Sequence, residues 1–196
     1  MLPVDATTVS QVRYAIFQLA YPENANLVNG CGLPAPAFTL DNPGDYTVDK
    51  IVIDDFDLPI SGWAMVNAGA TKPEDTYDGD VTTQWNAQMS SFAAKPEVTF
   101  YLNSKADLNS MKLTFGNRAM YFTVYLSKND VDYTEAFTVN ASNYTQFYEE
   151  YVCTISDLNA EGVSSIKIVF SGSTQNTLWM SFYEIELDAV QTKEKV

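Results

Sequence analysis

Two acidic side chains, two threonine hydroxyls and a glycine turn lie within nine residues, at positions 77–85. The sequence there is Tyr-Asp-Gly-Asp-Val-Thr-Thr-Gln-Trp. Asp78 and Gly79 predict a tight backbone reversal, because glycine adopts positive φ without steric cost. Carboxylate, hydroxyl and carbonyl oxygens that converge in such a turn are the ligands that Ca²⁺ prefers. The stretch is therefore either a cation-binding loop or a turn that Asp78 simply caps.

The residue pairs that most enzymes use for nucleophilic catalysis are missing. The sequence has no histidine, and its only cysteines, Cys31 and Cys153, lie far apart in the chain. Two carboxylates can hydrolyse glycosides, but the acidic positions at 54–57 and 149–150 are typical of solvated turns or strand faces. We expect a protein that is not an enzyme. We also expect two free or buried thiols, although a single long-range disulfide is compatible with the sequence.

The charge balance excludes several classes of partner. The 196 residues include 25 acids and 11 bases, a formal net charge of -14. Such a field repels phosphate backbones and anionic headgroups, so we expect no nucleic acid and no membrane insertion. Residues 1–5 lack the basic start and apolar middle of a secretory signal, and we expect no signal peptide.

Most of the chain is predicted to form β-strands. Aromatic residues are abundant, with 12 Tyr and 11 Phe, and they suit a half-buried pleated surface. Short apolar alternations recur between polar turns, which is typical of an all-β sandwich. The predicted strands are residues 46–54, 63–67, 98–102, 111–115, 121–127, 137–139, 147–155, 166–170 and 183–187. Residues 68–88 are predicted to be mostly loop.

The first 45 residues differ from the rest. Residues 6–21 carry apolar positions at spacings of three and four, which predict a helix, and residues 23–45 are rich in Asn, Pro and Gly, which predict an extended arm. This segment either covers its own domain or docks on neighbouring protein subunits. We therefore divide the chain into a helix and arm (1–45), a β-sandwich (46–190) and a polar tail (191–196) that frays unless an assembly holds it.

Three segments of the sandwich, in the same order, are similar to one known family. Residues 77–85 look like its Asp-Gly-Asp, Thr, Trp loop. Residues 121–130, with Tyr133, look like its strand that ends in Ser, Lys and an Asn-Asp turn, and residues 182–187 look like its closing strand with a glutamate. On these segments, residues 46–190 resemble the discoidin family, also called the coagulation factor V/VIII C-type domain family, which includes many bacterial carbohydrate-binding modules.

The resemblance implies a galactose-binding-like jelly roll with a structural calcium ion. Carried over by position, the ligands are the side chains of Asp78, Thr83 and Glu184, with backbone oxygens near Asp75 and Asp80. Residues 72–76 depart from the family, which often has Asn-Ala there. The alternative is that no metal binds and that Glu184 lies on a solvated strand face. We expect Trp85 to pack beneath the loop rather than to stack on a sugar.

Related modules bind sugars through loops at one end of the sandwich, where aromatic side chains stack on the ring and Arg, Asn or His bind the hydroxyls. By this resemblance the candidate ligand-binding residues, each of which also has an ordinary surface explanation, are Asn117, Arg118, Asn143, Tyr144, Gln175, Asn176 and Trp179.

Two functions follow from these observations. The first is a non-catalytic binding or adhesion module that recognises carbohydrate on a cell surface or polysaccharide. The second is a structural or decorating subunit of a bacteriophage virion, in which the jelly roll is a rigid unit and residues 1–45 contact neighbouring chains. A start at Met without a signal, followed by a helix and an arm, is compatible with a protein released by lysis. We expect an extracellular location or a virion surface.

Overall fold

The computed structural model describes residues 50–192, which form ten antiparallel β-strands with short 3-10 turns between them. The strands are β1 (Ile53–Asp57), β2 (Trp63–Met65), β3 (Trp85–Met89), β4 (Glu97–Gly116), β5 (Met120–Ser127), β6 (Tyr133–Val139), β7 (Tyr144–Phe147), β8 (Glu150–Ile155), β9 (Ala160–Ser173) and β10 (Trp179–Gln191).

The long strand β4 belongs to both layers of a sandwich. Its first part pairs with β1 and β9, and its second part pairs with β10 and β8. The pairing is irregular between Tyr101 and Leu108, where extra residues bend the strand from one layer into the other. The back layer has the strand order β2-β3-β10-β4-β8-β7, and the front layer has the order β1-β4-β9-β5-β6.

Aromatic side chains fill the space between the two layers. Phe115 on β4 lies 4.4 Å from Phe182 on the same layer, measured between ring centroids. It also lies 5.7 Å from Phe122 and 6.5 Å from Phe170, which come from the front layer. All four rings are fully buried. Alternation along each strand sends these residues inward and their neighbours outward, as expected for a sandwich.

The all-β sandwich predicted from the sequence is confirmed, and several strand boundaries are corrected. Residues 98–102 and 111–115 belong to one continuous strand rather than two. Residues 147–155 are not a single strand, because the chain reverses at Tyr148 between β7 and β8. Part of the predicted loop 68–88 is strand β3. The first described strand begins at Ile53 and extends beyond the predicted end at residue 54.

The predicted helix (6–21) and arm (23–45) lie outside the described residues, as does Cys31. Cys153 is a buried free thiol on β8, and burial raises its pKa to about 11. The start of the tail is ordered: β10 ends at Gln191, and the backbone N–H of Thr192 donates to the Lys105 carbonyl over 2.9 Å. Within residues 50–192 there is no helix long and apolar enough to cross a membrane.

The packing around Phe115 predicts a large difference between two equivalent substitutions. Phe115→Ala leaves a cavity at the centre of the sandwich and should lower the free energy of unfolding by about 3–5 kcal/mol. Phe147→Ala removes the same atoms from a residue that is 65% exposed. It should change the free energy of unfolding by less than about 0.5 kcal/mol. Urea unfolding measures both, and equal losses would contradict the assignment of the core.

Candidate functional site

The acidic loop found in the sequence lies against strands β3 and β10. It begins with a 3-10 turn, Pro73–Thr76, in which the Asp75 carboxylate accepts a hydrogen bond from the Lys72 backbone N–H over 2.9 Å. The loop ends at Trp85, which is fully buried and donates from its indole N–H to the Val66 carbonyl over 2.6 Å. Trp85 therefore packs beneath the loop, as predicted.

Three acceptor oxygens converge on the Thr83 hydroxyl. Its Oγ1 lies 3.0 Å from Oδ2 of Asp78, 2.8 Å from the carbonyl oxygen of Asp80 and 3.3 Å from the carbonyl oxygen of Asp75. A hydroxyl has one proton and donates to one acceptor at a time. The cluster therefore has more lone pairs than donors, which is the balance that a bound cation requires.

Glu184 lies on the adjacent strand, where β10 is irregular between Phe182 and Glu184. The irregularity shifts the alternation of inward and outward side chains, so that Phe182 and Ile185 both face the core and are buried. Glu184 therefore lies on the same outward face of β10 as Glu186, which forms an ion pair with Lys112 at the surface. The loop covers Glu184, which is only 4% exposed. We name Asp75, Asp78, Asp80, Thr83 and Glu184 the clasp.

The Glu184 carboxylate is incompletely satisfied. The backbone N–H of Gly79 donates a hydrogen bond to it, but its Oε2 is buried without a partner. Burial, and then the negative charges of Asp78, Glu186 and Asp80, raise its pKa from an ordinary 4.5 to about 7. The environment thus disfavours a negative charge that a cation would stabilise. The alternative expectation of a solvated strand face is wrong, because Glu184 is buried.

The clasp offers only oxygen atoms as metal ligands, the type that Ca²⁺ accepts. Among residues 50–192, no group of three or more histidine, cysteine, aspartate or glutamate side chains is placed to hold a metal ion. A calcium ion here would depend on the Thr83 hydroxyl and the carbonyls of Asp75 and Asp80 as well as on two carboxylates. Such mixed oxygen ligands and irregular geometry are acceptable to Ca²⁺. The Asp80 carboxylate already accepts two hydrogen bonds from Thr82, which lower its pKa.

A second cluster of polar groups forms at one end of the sandwich, around the turn that follows β4. Asn117 has a φ of 64° there, and its N–H donates to the Glu149 carbonyl over 2.6 Å. The Gln175 amide donates to the Asn117 carbonyl over 3.2 Å. This turn therefore joins the loops β4–β5, β7–β8 and β9–β10.

Arg118 extends from this turn towards the beginning of β10. Its Nη1 donates to the Trp179 carbonyl over 3.0 Å and to the Thr177 hydroxyl over 3.4 Å, while its Nε is buried without a hydrogen-bond partner. Trp179 itself is 41% exposed. The guanidinium is thus held in place by two acceptors at the beginning of β10 and in the loop before it.

The structure brings five of the seven candidate ligand-binding residues together. These are Asn117, Arg118, Gln175, Asn176 and Trp179. Asn143 ends the 3-10 turn before β7, and Tyr144 begins that strand, three residues before Phe147. The Asn143 Oδ1 accepts from the Asn140 N–H over 2.8 Å. The Tyr144 hydroxyl donates to the Met120 carbonyl over 2.5 Å, and burial raises its pKa. Both side chains therefore have structural contacts of their own.

The sequence analysis missed two aromatic residues at this end, Phe147 and Tyr148. They form the tip of the β7–β8 hairpin, are 65% and 86% exposed, and contact each other edge to face with centroids 5.0 Å apart. Tyr148 has a φ of 54°, a conformation that is uncommon for a tyrosine. No Gly, Pro, Asn or Asp marks the reversal. We name Asn117, Arg118, Phe147, Tyr148, Gln175, Asn176 and Trp179 the apex surface.

Searches with the whole sequence identify no related family. No protein-family model matches the chain, and no curated protein matches it. Comparison of the structure with solved structures does find similar folds.

The structure is similar to CBM32-1 from a family 31 glycoside hydrolase of Clostridium perfringens, with a TM-score of 0.53, 19% sequence identity, and coverage of 69% of this chain and 95% of that one. It is similar to chitosan-binding module 1 from a chitosanase/glucanase of Paenibacillus sp. IK-5, with a TM-score of 0.51, 14% identity and coverage of 69% and 95%. A truncated AlyQ with CBM32 and alginate lyase domains matches with a TM-score of 0.52 and 23% identity, over 77% of this chain but only 36% of that one.

These similarities define the class of fold. The described residues form a discoidin-like, galactose-binding-like jelly roll, the fold of CBM32 modules. At these low identities the comparison concerns the fold, and the resemblance inferred from the sequence is confirmed at that level.

The buried Glu184 carboxyl predicts how the stability of the cation-free protein depends on pH. With a chelator present, the folded state should keep the Glu184 proton up to a pKa of about 7, whereas the unfolded chain loses it near 4.5. The folded state therefore binds more protons within this window, and stability should fall as the pH rises from about 4.5 to about 7. Urea unfolding of the wild type and of Glu184→Gln at several pH values isolates this contribution. Identical pH profiles for the two proteins would contradict it.

Proposed function

We propose that this protein is a non-catalytic carbohydrate-binding module whose ligand site is the apex surface. The observation that carries the proposal is the presence, at one end of the sandwich, of the exposed aromatic residues Tyr148 and Trp179 together with the Arg118 guanidinium, which the Trp179 carbonyl holds in place. Exposed aromatic rings and polar groups at the same end of the sandwich combine the two features that a sugar requires, since a pyranose has an apolar face and a rim of hydroxyl groups.

The other residues of the apex surface have matching chemistry. Phe147 and Tyr148 offer exposed aromatic area on one side of the Asn117 turn, and Trp179 offers it on the other. The amides of Asn117, Gln175 and Asn176 can both donate and accept hydrogen bonds, as hydroxyl recognition needs. A few fixed polar groups among aromatic rings are typical of small-molecule sites.

The fold supports the same class of function. Its solved neighbours include a CBM32 module and a module named for chitosan binding, and we infer a carbohydrate ligand for this chain as well. The net charge of -14 would repel an anionic polysaccharide at long range. We therefore expect a neutral or cationic glycan on a cell surface or polysaccharide. Among the described residues nothing favours the alternative of a virion subunit, which stays a prediction from the sequence.

We further propose that the clasp holds a structural calcium ion. The side chains of Asp78, Thr83 and Glu184 and the carbonyls of Asp75 and Asp80 would bind it and fix the loop to β10. Glu184 lies five residues beyond Trp179 on that strand, about 16 Å along it. The ion would therefore stabilise the sandwich without touching a sugar at the apex surface.

Substitutions at the apex surface should weaken binding without unfolding the protein. A glycan array with the wild type identifies the best oligosaccharide, and calorimetry then measures its affinity. Trp179→Ala and Tyr148→Ala should each weaken binding about tenfold or more, because a stacking ring contributes more than 1 kcal/mol at such sites. Val131→Ala, an exposed apolar residue on the β5–β6 turn, is the matched control and should bind normally. Wild-type affinity in both apex variants would refute the site.

Removal of calcium should lower the melting temperature. At a calcium concentration about a hundred times the dissociation constant, the ion contributes about 2.7 kcal/mol, or about 5–10 °C for a domain of this size. A chelator should remove that difference, and Asp78→Ala should abolish the response. Asp188→Ala, which removes an exposed carboxylate of β10, should respond as the wild type does. Equal melting of the wild type with and without chelator would exclude a structural calcium ion.

A further inference from the structure

A groove of about 670 Å³ lies on the outer face of the front layer, away from the apex surface. Its lining includes Phe92, Glu97, Thr123, Tyr125, Tyr133 and Lys167. We name it the sheet-face groove. Its volume is within the range of small-molecule sites.

The outward side chains of β5 and β9 form the floor of this groove. Phe122 and Val124 are fully buried in the core, so the alternation of β5 turns Thr123 and Tyr125 outward. Tyr125 pairs with Lys167 of β9 in the register of the sheet. The groove extends along β5 as far as Tyr125, which lies five residues, or about 16 Å, beyond Met120 at the start of the strand.

A short turn makes the wall of the groove and is firmly attached to the sheet. The turn Phe92–Ala94 is capped by Ser91, whose Oγ accepts from the Ala94 N–H over 3.1 Å. The Phe170 N–H donates to the Pro96 carbonyl over 2.8 Å just after it. The wall and the floor are therefore parts of the same hydrogen-bonded framework, and the groove is already formed in the free protein.

Two opposite charges in the groove have hydrogen-bonding capacity to spare. The Lys167 Nζ lies 3.6 Å from Oε1 of Glu97, which is beyond a good hydrogen bond. It also lies 4.2 Å from the centroid of the Tyr133 ring, a cation–π contact. Tyr133 is itself fixed by a 2.9 Å hydrogen bond between its hydroxyl and Ser165. The ammonium and the carboxylate are thus positioned side by side, and each can still bind a ligand.

This pair selects a ligand that donates and accepts hydrogen bonds at neighbouring atoms. An anion would be repelled by Glu97 and a cation by Lys167, while a wholly apolar ligand would desolvate both charges without replacing their hydrogen bonds. Two adjacent hydroxyl groups satisfy both, because one accepts from the ammonium while the other donates to the carboxylate. Phe92 and Tyr125, which also line the groove, supply aromatic surface for the apolar C–H groups of the same ligand.

We propose that the sheet-face groove is a second carbohydrate-binding site, which takes a neutral pyranose through two adjacent hydroxyl groups bound by Lys167 and Glu97. The proposal depends on the chemistry of the groove and not on the apex surface. With two sites, one molecule would engage two sugar units or two glycan chains, and its avidity for a polysaccharide would exceed its affinity for a short oligosaccharide.

The test is an NMR titration of the full chain labelled with ¹⁵N. The probes are methyl β-galactopyranoside, methyl β-glucopyranoside and methyl α-mannopyranoside, each up to about 100 mM so that millimolar affinities saturate. At least one probe should shift the amide signals of Thr123, Tyr125 and Lys167 in a saturable way. Trp179→Ala should keep these shifts.

Two lysine variants provide the matched comparison. Lys167→Met retains the aliphatic stem but removes the ammonium, and it should weaken binding at the groove about tenfold or more. Lys112→Met removes an equivalent ion pair, with Glu186 on the back layer, and should leave the groove unchanged. The spectrum of each variant also reports whether it is folded.

Several outcomes would overturn the groove as a site. These are the absence of groove shifts with all three glycosides, groove shifts that Lys167→Met does not weaken, or equal shifts from the same concentration of glycerol. Saturable shifts confined to the apex surface would overturn the groove but support the proposed function. Shifts confined to the groove would support this proposal and count against the apex surface.

Discussion

The continuity of β4 is the constraint on which the structure depends. This one strand forms hydrogen bonds with four others, β1 and β9 in the front layer and β10 and β8 in the back layer. Each of the three proposed sites contacts β4: Glu97 at its start lines the sheet-face groove, Thr114 pairs with Glu184 of the clasp, and the turn after its last residue, Gly116, supports the apex surface. The rings around Phe115 keep the two layers at a fixed separation, so these regions cannot shift independently of the core.

The clasp contains a buried carboxylate, that of Glu184, which is unfavourable when no cation is bound. A carboxylate in a protein interior costs several kcal/mol unless charges or hydrogen bonds compensate for it. Glu184 receives a single backbone hydrogen bond and faces other acids, so the folded chain without a cation retains part of that cost as a raised pKa. A divalent cation would convert the repulsion among these acids into attraction. The same residues that destabilise the empty loop would then attach it to β10.

The strongest sequence signals were those that depend on local alternation. The alternation in residues 121–127 and 166–170 predicted strands that the structure contains as β5 and β9, because burial of one face of a sheet forces a period of two. The joining of two predicted strands into β4 could not be predicted, since a bulge tolerates the polar residues that resemble a turn. The reversal at Tyr148 was missed because its positive φ is imposed by the pairing of β7 with β8 rather than by a turn residue.

The sequence by itself determined the class of fold and the residue types of the clasp, because both depend on short patterns: period-two alternation in the strands, and oxygen-bearing side chains around an Asp-Gly turn. Only the tertiary structure decided which distant side chains meet. It covered Glu184 with the acidic loop, joined Arg118 to Trp179 across 61 residues of chain, and placed Lys167 beside Glu97 and Tyr133. Contacts between residues that are distant in sequence depend on strand register and layer packing, which no local pattern specifies.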